Sequence, residues 1–305
     1  MKFSHKKTKN FNIFRRGKGF SLVETSIVIL IIGILIAGIS RGIDLYADFK
    51  IQTAQKLTIN SPVSRIEDLA LWLETTLEKS FQTKMVNNSE VPQWNNISPF
   101  DLNPKNAFNY FANKPTFLEN NINGLPAIQF SNSSQNCMSV ESGFDNNTEN
   151  VTIFLALVMK SSNIYANGAT IGRIIEKWSD PSKPYPYVLR PSFSIATFYA
   201  GDNGSRGSYF NAGKIGFPYV VSARRVKLGN LSIWVNGVKG TDVLDNVATD
   251  TTNTSPLYIG CRGPGSAGAA GDFNVGEIII YSRALSDVEI ARVNKYLSQK
   301  WNIKF

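Results

Sequence analysis

The chain has 305 residues, 43% of them hydrophobic and 11% aromatic, which is the composition of a globular protein with a sizeable core and not of a disordered one. Its formal charge of +9 suggests a nucleic-acid partner only until the charges are located: seven basic residues and no acid lie in residues 1–19, so the remainder carries only +2. With one histidine, His5, and two cysteines outside any CxxC spacing, the chain lacks the ligand set of a zinc site.

Residues 20–40 form an apolar run of 21, about 30 Å long as a helix and enough to cross a bilayer's hydrocarbon core. A secretory signal would be shorter and would end in a small-x-small cleavage site, which Ala37-Gly38-Ile39 fits poorly. A plain signal anchor, its basic flank kept on the cytoplasmic side, leaves unexplained the one carboxylate in the run, Glu24. Gly33 and Ala37 form a small-xxx-small pair, of the kind that lets a second helix approach closely.

The stretch GFSLVE, residues 19–24, with its basic leader and apolar continuation, resembles the processing site of type IV prepilins and of the pseudopilins of type II secretion. The resemblance implies cleavage by a prepilin peptidase between Gly19 and Phe20, N-methylation of Phe20, and retention of the apolar helix. It gives Glu24 a role, since cleavage creates an ammonium at Phe20, one helical turn away, and an unpaired charge in oil is costly. The opposite charges then have reason to meet, within one chain or between an entering subunit and its neighbour. The implied partners are the peptidase, other pilin or pseudopilin subunits and, before assembly, inner-membrane lipid. The implied location is a single-pass inner-membrane protein with a periplasmic head, later in a pilus or pseudopilus.

Beyond the run, Ile43, Ala47, Ile51 and Ala54 share one helical face, so residues 42–60 are expected to continue as an amphipathic stalk, ended by Asn60-Ser61-Pro62. From about Arg65 the pattern changes to short strands: DLALWLET near Trp72, VTIFLALVMK at 151–160, GRIIEK near Ile174, FSIATFYA near Ile195, YVVSAR near Val220 and GEIIIY near Ile279. LSIWVNGVKG, 231–240, reads as a hairpin turning at Asn236-Gly237. Ser286 and Glu289 have capping-box spacing ahead of a closing helix whose apolar stripe is Ile290, Val293, Leu297 and Trp301. The expected fold is mainly β with a long N-terminal helix: an antiparallel sandwich closed by a short helix.

Segments 114–140 and 276–303 resemble the two ends of a laminin-G-like, concanavalin A-like jelly roll of bacterial type, and 65–305 is expected to be that domain. The layout is thus 1–19 leader, removed; 20–41 transmembrane and assembly helix; 42–60 stalk; 65–305 head. Folds of this kind include glycoside hydrolases, whose catalytic carboxylates alternate on one strand. Here Glu141 and Asp145 read as loop residues and Glu277 stands alone in its strand, so the head is expected not to be an enzyme.

Lectins of this fold bind sugar through aromatic platforms and loop Asn or Asp, sometimes with calcium, the one ion the resemblance admits where no cofactor is otherwise expected. Loop candidates for such oxygens are Asp180, Asp202, Asn203, Asp272 and Asn274. KWSDPSKPYPYVLR, 177–190, is the most binding-like loop, with Trp178, Tyr185 and Tyr187 as candidate ligand residues for a glycan or protein. Trp72, Trp234 and Trp301 have core periodicity instead. GPGSAGAAG, 263–271, lacks the Lys-Ser/Thr pair of a phosphate loop and reads as a linker. Cys137 and Cys261 are a candidate disulfide if the head reaches an oxidising compartment, with two buried thiols as the alternative. The reading is a prepilin-like structural subunit with a binding or adhesive head. Its rival is a membrane-anchored carbohydrate-binding protein or glycoside hydrolase outside any filament.

Overall fold

The computed structural model describes residues 19–305 except 101–102, 142, 144–148, 161–171, 178–184, 191–196, 202–206, 210–213, 246–254 and 264–269. One helix, α1 (Leu22–Ile59), opens the chain. It is long and apolar enough over its first half to cross a membrane. The chain divides into two compact units, Met1–Asp48 and Phe49–Phe305.

The strands are β1 (Leu69–Glu74), β2 (Gln93–Trp94), β3 (Ala107–Asn109), β4 (Thr116–Ile122), β5 (Leu125–Phe130), β6 (Met138–Val140), β7 (Val151–Met159), β8 (Ile175–Lys177) and β9 (Tyr185–Arg190). They continue with β10 (Thr197–Gly201), β11 (Gly207–Tyr209), β12 (Pro218–Arg225), β13 (Asn230–Val235), β14 (Val238–Lys239), β15 (Val243–Leu244), β16 (Leu257–Ile259) and β17 (Phe273–Tyr281), followed by α2 (Asp287–Trp301). One sheet runs β14-β13-β12-β7-β17-β5-β4, with β1 also paired to β17 and β15 to β13; the other runs β11-β10-β9-β8-β16-β6-β3-β2. All of these pairings are antiparallel, the two-sheet sandwich that the strand pattern predicts.

The main core lies between the sheets, where Ile153, Leu155 and Leu157 of β7 and Ile278 and Ile280 of β17 meet Met138, Val140, Ile175, Leu189 and Ile259. A second core covers the outer face of the first sheet: Phe154, Ala156 and Ile279 lie under Ile290, Val293, Leu297 and Trp301 of α2. Being covered on both faces is why β7 and β17 read as almost unbroken apolar runs instead of alternating ones. The second core also takes in Ala54, and Thr58 is buried, so the last turns of α1 are part of the head. The expected boundary near residue 60–65 therefore moves to Phe49: Ile51, Ala54 and Leu57 pack on the head, while Ile43 stays exposed.

Two hairpins turn on Asn-Gly pairs in the left-handed region, Asn123-Gly124 (φ 51° and 89°) between β4 and β5 and Asn236-Gly237 (φ 48° and 73°) between β13 and β14. The capping box of α2 is formed: the Ser286 side chain accepts from the Glu289 amide, and the Glu289 carboxylate accepts from the Ser286 amide at 2.8 Å.

Candidate functional site

The N-terminal segment is built around a second capping box. Ser21 precedes the first helical residue, its hydroxyl accepts the Glu24 amide at 3.1 Å, and its own amide donates to Glu24 Oε2 at 2.8 Å. Gly19 and Phe20 lie before the helix, and a Cβ on Gly19 would meet nothing within 4 Å. A carboxylate at the third helical position also suits the positive end of the helix dipole.

The head contains an acid pair that its sequence spacing hides. Glu277 has no acidic neighbour in its own strand, but β1 pairs with β17 so that Glu74 stands directly opposite it. A register shift at Gly276 makes this possible. Before it, Phe273 and Val275 face the inter-sheet core; after it, Ile278 and Ile280 do, and Glu277 is turned to the outer face under α2. Only glycine fits at the bulge, because a Cβ on Gly276 would lie 2.1 Å from the Trp301 ring.

Both carboxylates and Lys300 are fully buried, and the ammonium lies 2.9 Å from Glu74 Oε2 and 2.9 Å from Glu277 Oε2. Glu277 also accepts from Trp72 Nε1 at 2.7 Å, Tyr296 Oη at 2.8 Å and Trp301 Nε1 at 2.9 Å. Glu74 accepts from the Thr76 amide and hydroxyl, the Leu77 amide and the Ser80 hydroxyl. Burial alone would raise the Glu74 pKa, but Lys300 and the hydrogen bonds from Ser80 and Thr76 outweigh it and hold the carboxyl below its usual value. Burial would likewise lower the Lys300 pKa, yet Glu277 and Glu74 together hold it above normal. With these oxygens already engaged and no solvent access, the pair fastens α2 to the sheet and is not arranged to receive a substrate.

The sequence candidates in the head are placed differently from expectation. Tyr185 and Tyr187 do not sit on a binding loop: both belong to β9, Tyr187 is in the inter-sheet core, and Tyr185 is buried with its hydroxyl 3.2 Å from Arg262 Nη2. The concentration of aromatics, prolines and charges in this segment is compatible with a strand, since β9 takes Pro186 without losing its pairing to β8 and β10. Trp178, Asp180, Asp202, Asn203 and Asp145 lie outside the described residues, as does most of 263–271. Asn274 is in β17 and donates to Asn121 at 3.0 Å, and Glu141 is exposed and paired with Lys105. Among the described residues no group of three His, Cys, Asp or Glu is placed to hold a metal ion. Cys137 and Cys261 are joined in a disulfide with a Cα separation of 5.4 Å, linking the ends of neighbouring strands β6 and β16.

A second buried charge cluster escaped the sequence reading. Glu176 of β8 points away from the inter-sheet core, with Arg173 Nε at 2.7 Å and Arg262 Nε at 3.8 Å. Burial raises the Glu176 pKa despite Arg173, Arg262 and Arg190. Arg173 and Glu176 are three residues apart, but Arg190 and Arg262 come from separate stretches, and local spacing does not announce them.

Comparison with known proteins bears on both units. Residues 14–40 match the model of the prokaryotic N-terminal methylation motif. The chain therefore carries a prepilin-type methylation segment on an apolar helix, joined to an antiparallel β-sandwich head. Among solved structures it is similar to the binding domain of Paraclostridial Mosquitocidal Protein 1 (TM-score 0.53, 12% identity, 75% of this chain and 52% of that one). It is also similar to the botulinum neurotoxin serotype D binding domain (0.53, 13%, 77% and 52%) and the receptor binding domain of the botulinum neurotoxin C/D mosaic serotype (0.53, 13%, 75% and 51%). The chain spans about half the length of these proteins, and at such identities the likeness is one of fold. No curated protein matches the sequence.

Proposed function

We propose that this protein is a prepilin-like subunit, a minor pilin or pseudopilin of a type IV pilus or a type II secretion system. A prepilin peptidase cuts after Gly19, Phe20 is methylated, and residues 20–41 hold the chain in the inner membrane until it is drawn into a filament. The observation that carries this reading is the methylation motif at 14–40, with Glu24 one turn from the new N-terminus. The head, exposed to the periplasm, is a non-catalytic module for adhesion or for binding a protein or glycan. The disulfide between Cys137 and Cys261 favours that oxidising side of the membrane, and the saturation of Glu74 and Glu277 favours a structural use of the one facing acid pair described above.

Mass spectrometry of the purified protein tests the reading: a chain beginning at methylated Phe20 is expected, and an intact leader in cells with an active prepilin peptidase overturns it. Glu24→Ala is expected to leave the protein in the membrane fraction and to remove it from sheared filaments. Incorporation at the wild-type level would refute the role of Glu24.

A further inference from the structure

One end of the head combines exposed apolar side chains with lysines. β7 ends at Met159, whose carbonyl accepts the Gly216 amide at 2.8 Å, and β12 starts beside it with Pro218 opposite Val158, so residues 214–217 lie at this end. The β13–β14 turn is there too, because the Asn236 amide donates to the Val220 carbonyl at 2.8 Å. Phe305 lies against that turn: a Cβ on Gly237 would be 2.6 Å from its ring. The chain enters the head at the same end. Lys50 Nζ donates to the Asn123 carbonyl at 3.2 Å, and the Asn123 side chain donates to the last carbonyls of α2, Trp301 at 2.8 Å and Asn302 at 3.0 Å.

Around this entry, Ile215 is 43% exposed, Phe217 56%, Val238 59% and Phe305 52%. Lys160, Lys214 and Lys304 are exposed among them. The exposed acids nearest the entry are Asp48, two residues before Lys50, and Glu119, four before Asn123, while Asp272 is half-buried and Asp242, paired with Lys239, lies beside Asn230 at the other end of β13. Apolar tips rimmed by lysines are the chemistry of an interfacial membrane contact: the tips enter the headgroup boundary and each lysine is attracted to an anionic surface. The tether supplies the opportunity. Residues 42–48, between the apolar span and the head, reach at most about 25 Å even fully extended.

We propose that the chain-entry end of the head is a docking surface for an anionic phospholipid bilayer, engaged while the subunit waits in the membrane and released when it is extracted into a filament. This rests on the membrane-anchored reading above. The sandwich core does not cover these side chains: Ile215 and Phe217 precede the first paired residue of β12, Phe305 follows α2, and Val238 lies on the short edge strand β14.

The test uses the full chain reconstituted into vesicles of phosphatidylcholine with or without phosphatidylglycerol. Because the two native cysteines are bonded to each other, Ile215→Cys provides a single site for an environment-sensitive fluorophore. Nitroxide-bearing lipid is expected to quench it several-fold more strongly in the anionic vesicles, with the difference abolished by Lys214→Glu with Lys304→Glu and by high salt, and the quenching itself lost in Phe217→Ser. Equal quenching in both vesicle types, or quenching that follows protein density and not lipid charge, overturns the proposal; the latter would make the surface a contact between copies. Failure of the wild-type chain to float with vesicles would instead remove the membrane-anchored reading on which it rests.

Discussion

Glu74 and Glu277 stand opposite each other on adjacent strands, and the Lys300 ammonium lies 2.9 Å from each. Two carboxylates in register would repel if left alone. The closing helix supplies the cation between them, so the same residue that quenches the repulsion ties α2 to the sandwich.

Lys300→Met removes that cation and leaves two buried acids facing each other. A loss of about 3–5 kcal/mol is expected at neutral pH, read by denaturant unfolding. Mild acid should restore part of it in the variant as one carboxyl takes up a proton. A variant as stable as wild type at pH 7 would show that the triad holds nothing together.

Gly276→Ala tests the bulge itself. A methyl group placed 2.1 Å from Trp301 must displace the indole or the strand, and about 1–3 kcal/mol should be lost with a changed tryptophan fluorescence spectrum. An unchanged spectrum and midpoint would mean that the bulge has room to spare.

Reducing the Cys137–Cys261 bond, which closes a separation of 124 residues, should cost about 2–5 kcal/mol. Thermal unfolding with and without reductant measures it, and the Cys137→Ser, Cys261→Ser double variant should match the reduced wild type.

The cap of α2 carries a pH dependence of defined sign. Glu289 is held down to about 2, first by the hydrogen bonds from Arg283, against which burial acts in the other direction, and further by the amide and hydroxyl of Ser286. Its folded pKa lies below its ordinary value of 4.5, so its contribution is present above pH 4.5 and is lost as the pH falls toward 2. Glu289→Gln should therefore flatten the stability curve across that window, and a curve of unchanged slope would contradict the assignment. Lys300 has the opposite sign: its raised pKa gives stability that is complete below 10.5 and is lost on the alkaline side.

Much of this protein was determined locally, by the residues themselves. The length of the apolar run, the acid at position 24, the strand at 151–159, the Asn236-Gly237 turn and the Ser286 cap are each fixed by a few neighbouring side chains, whose periodicity or turn chemistry holds whatever surrounds them. Tertiary structure alone decided the rest. β9 pairs on both sides despite its proline, so Tyr185 and Tyr187 became interior residues. Ala54 and Thr58 were buried in the second core, Thr58 against Tyr296 of α2 238 residues further on, and Glu277 found its partner 203 positions away because one glycine shifts the register of β17. Burial and charge pairing depend on which distant segments arrive, and sequence spacing carries no record of that arrival.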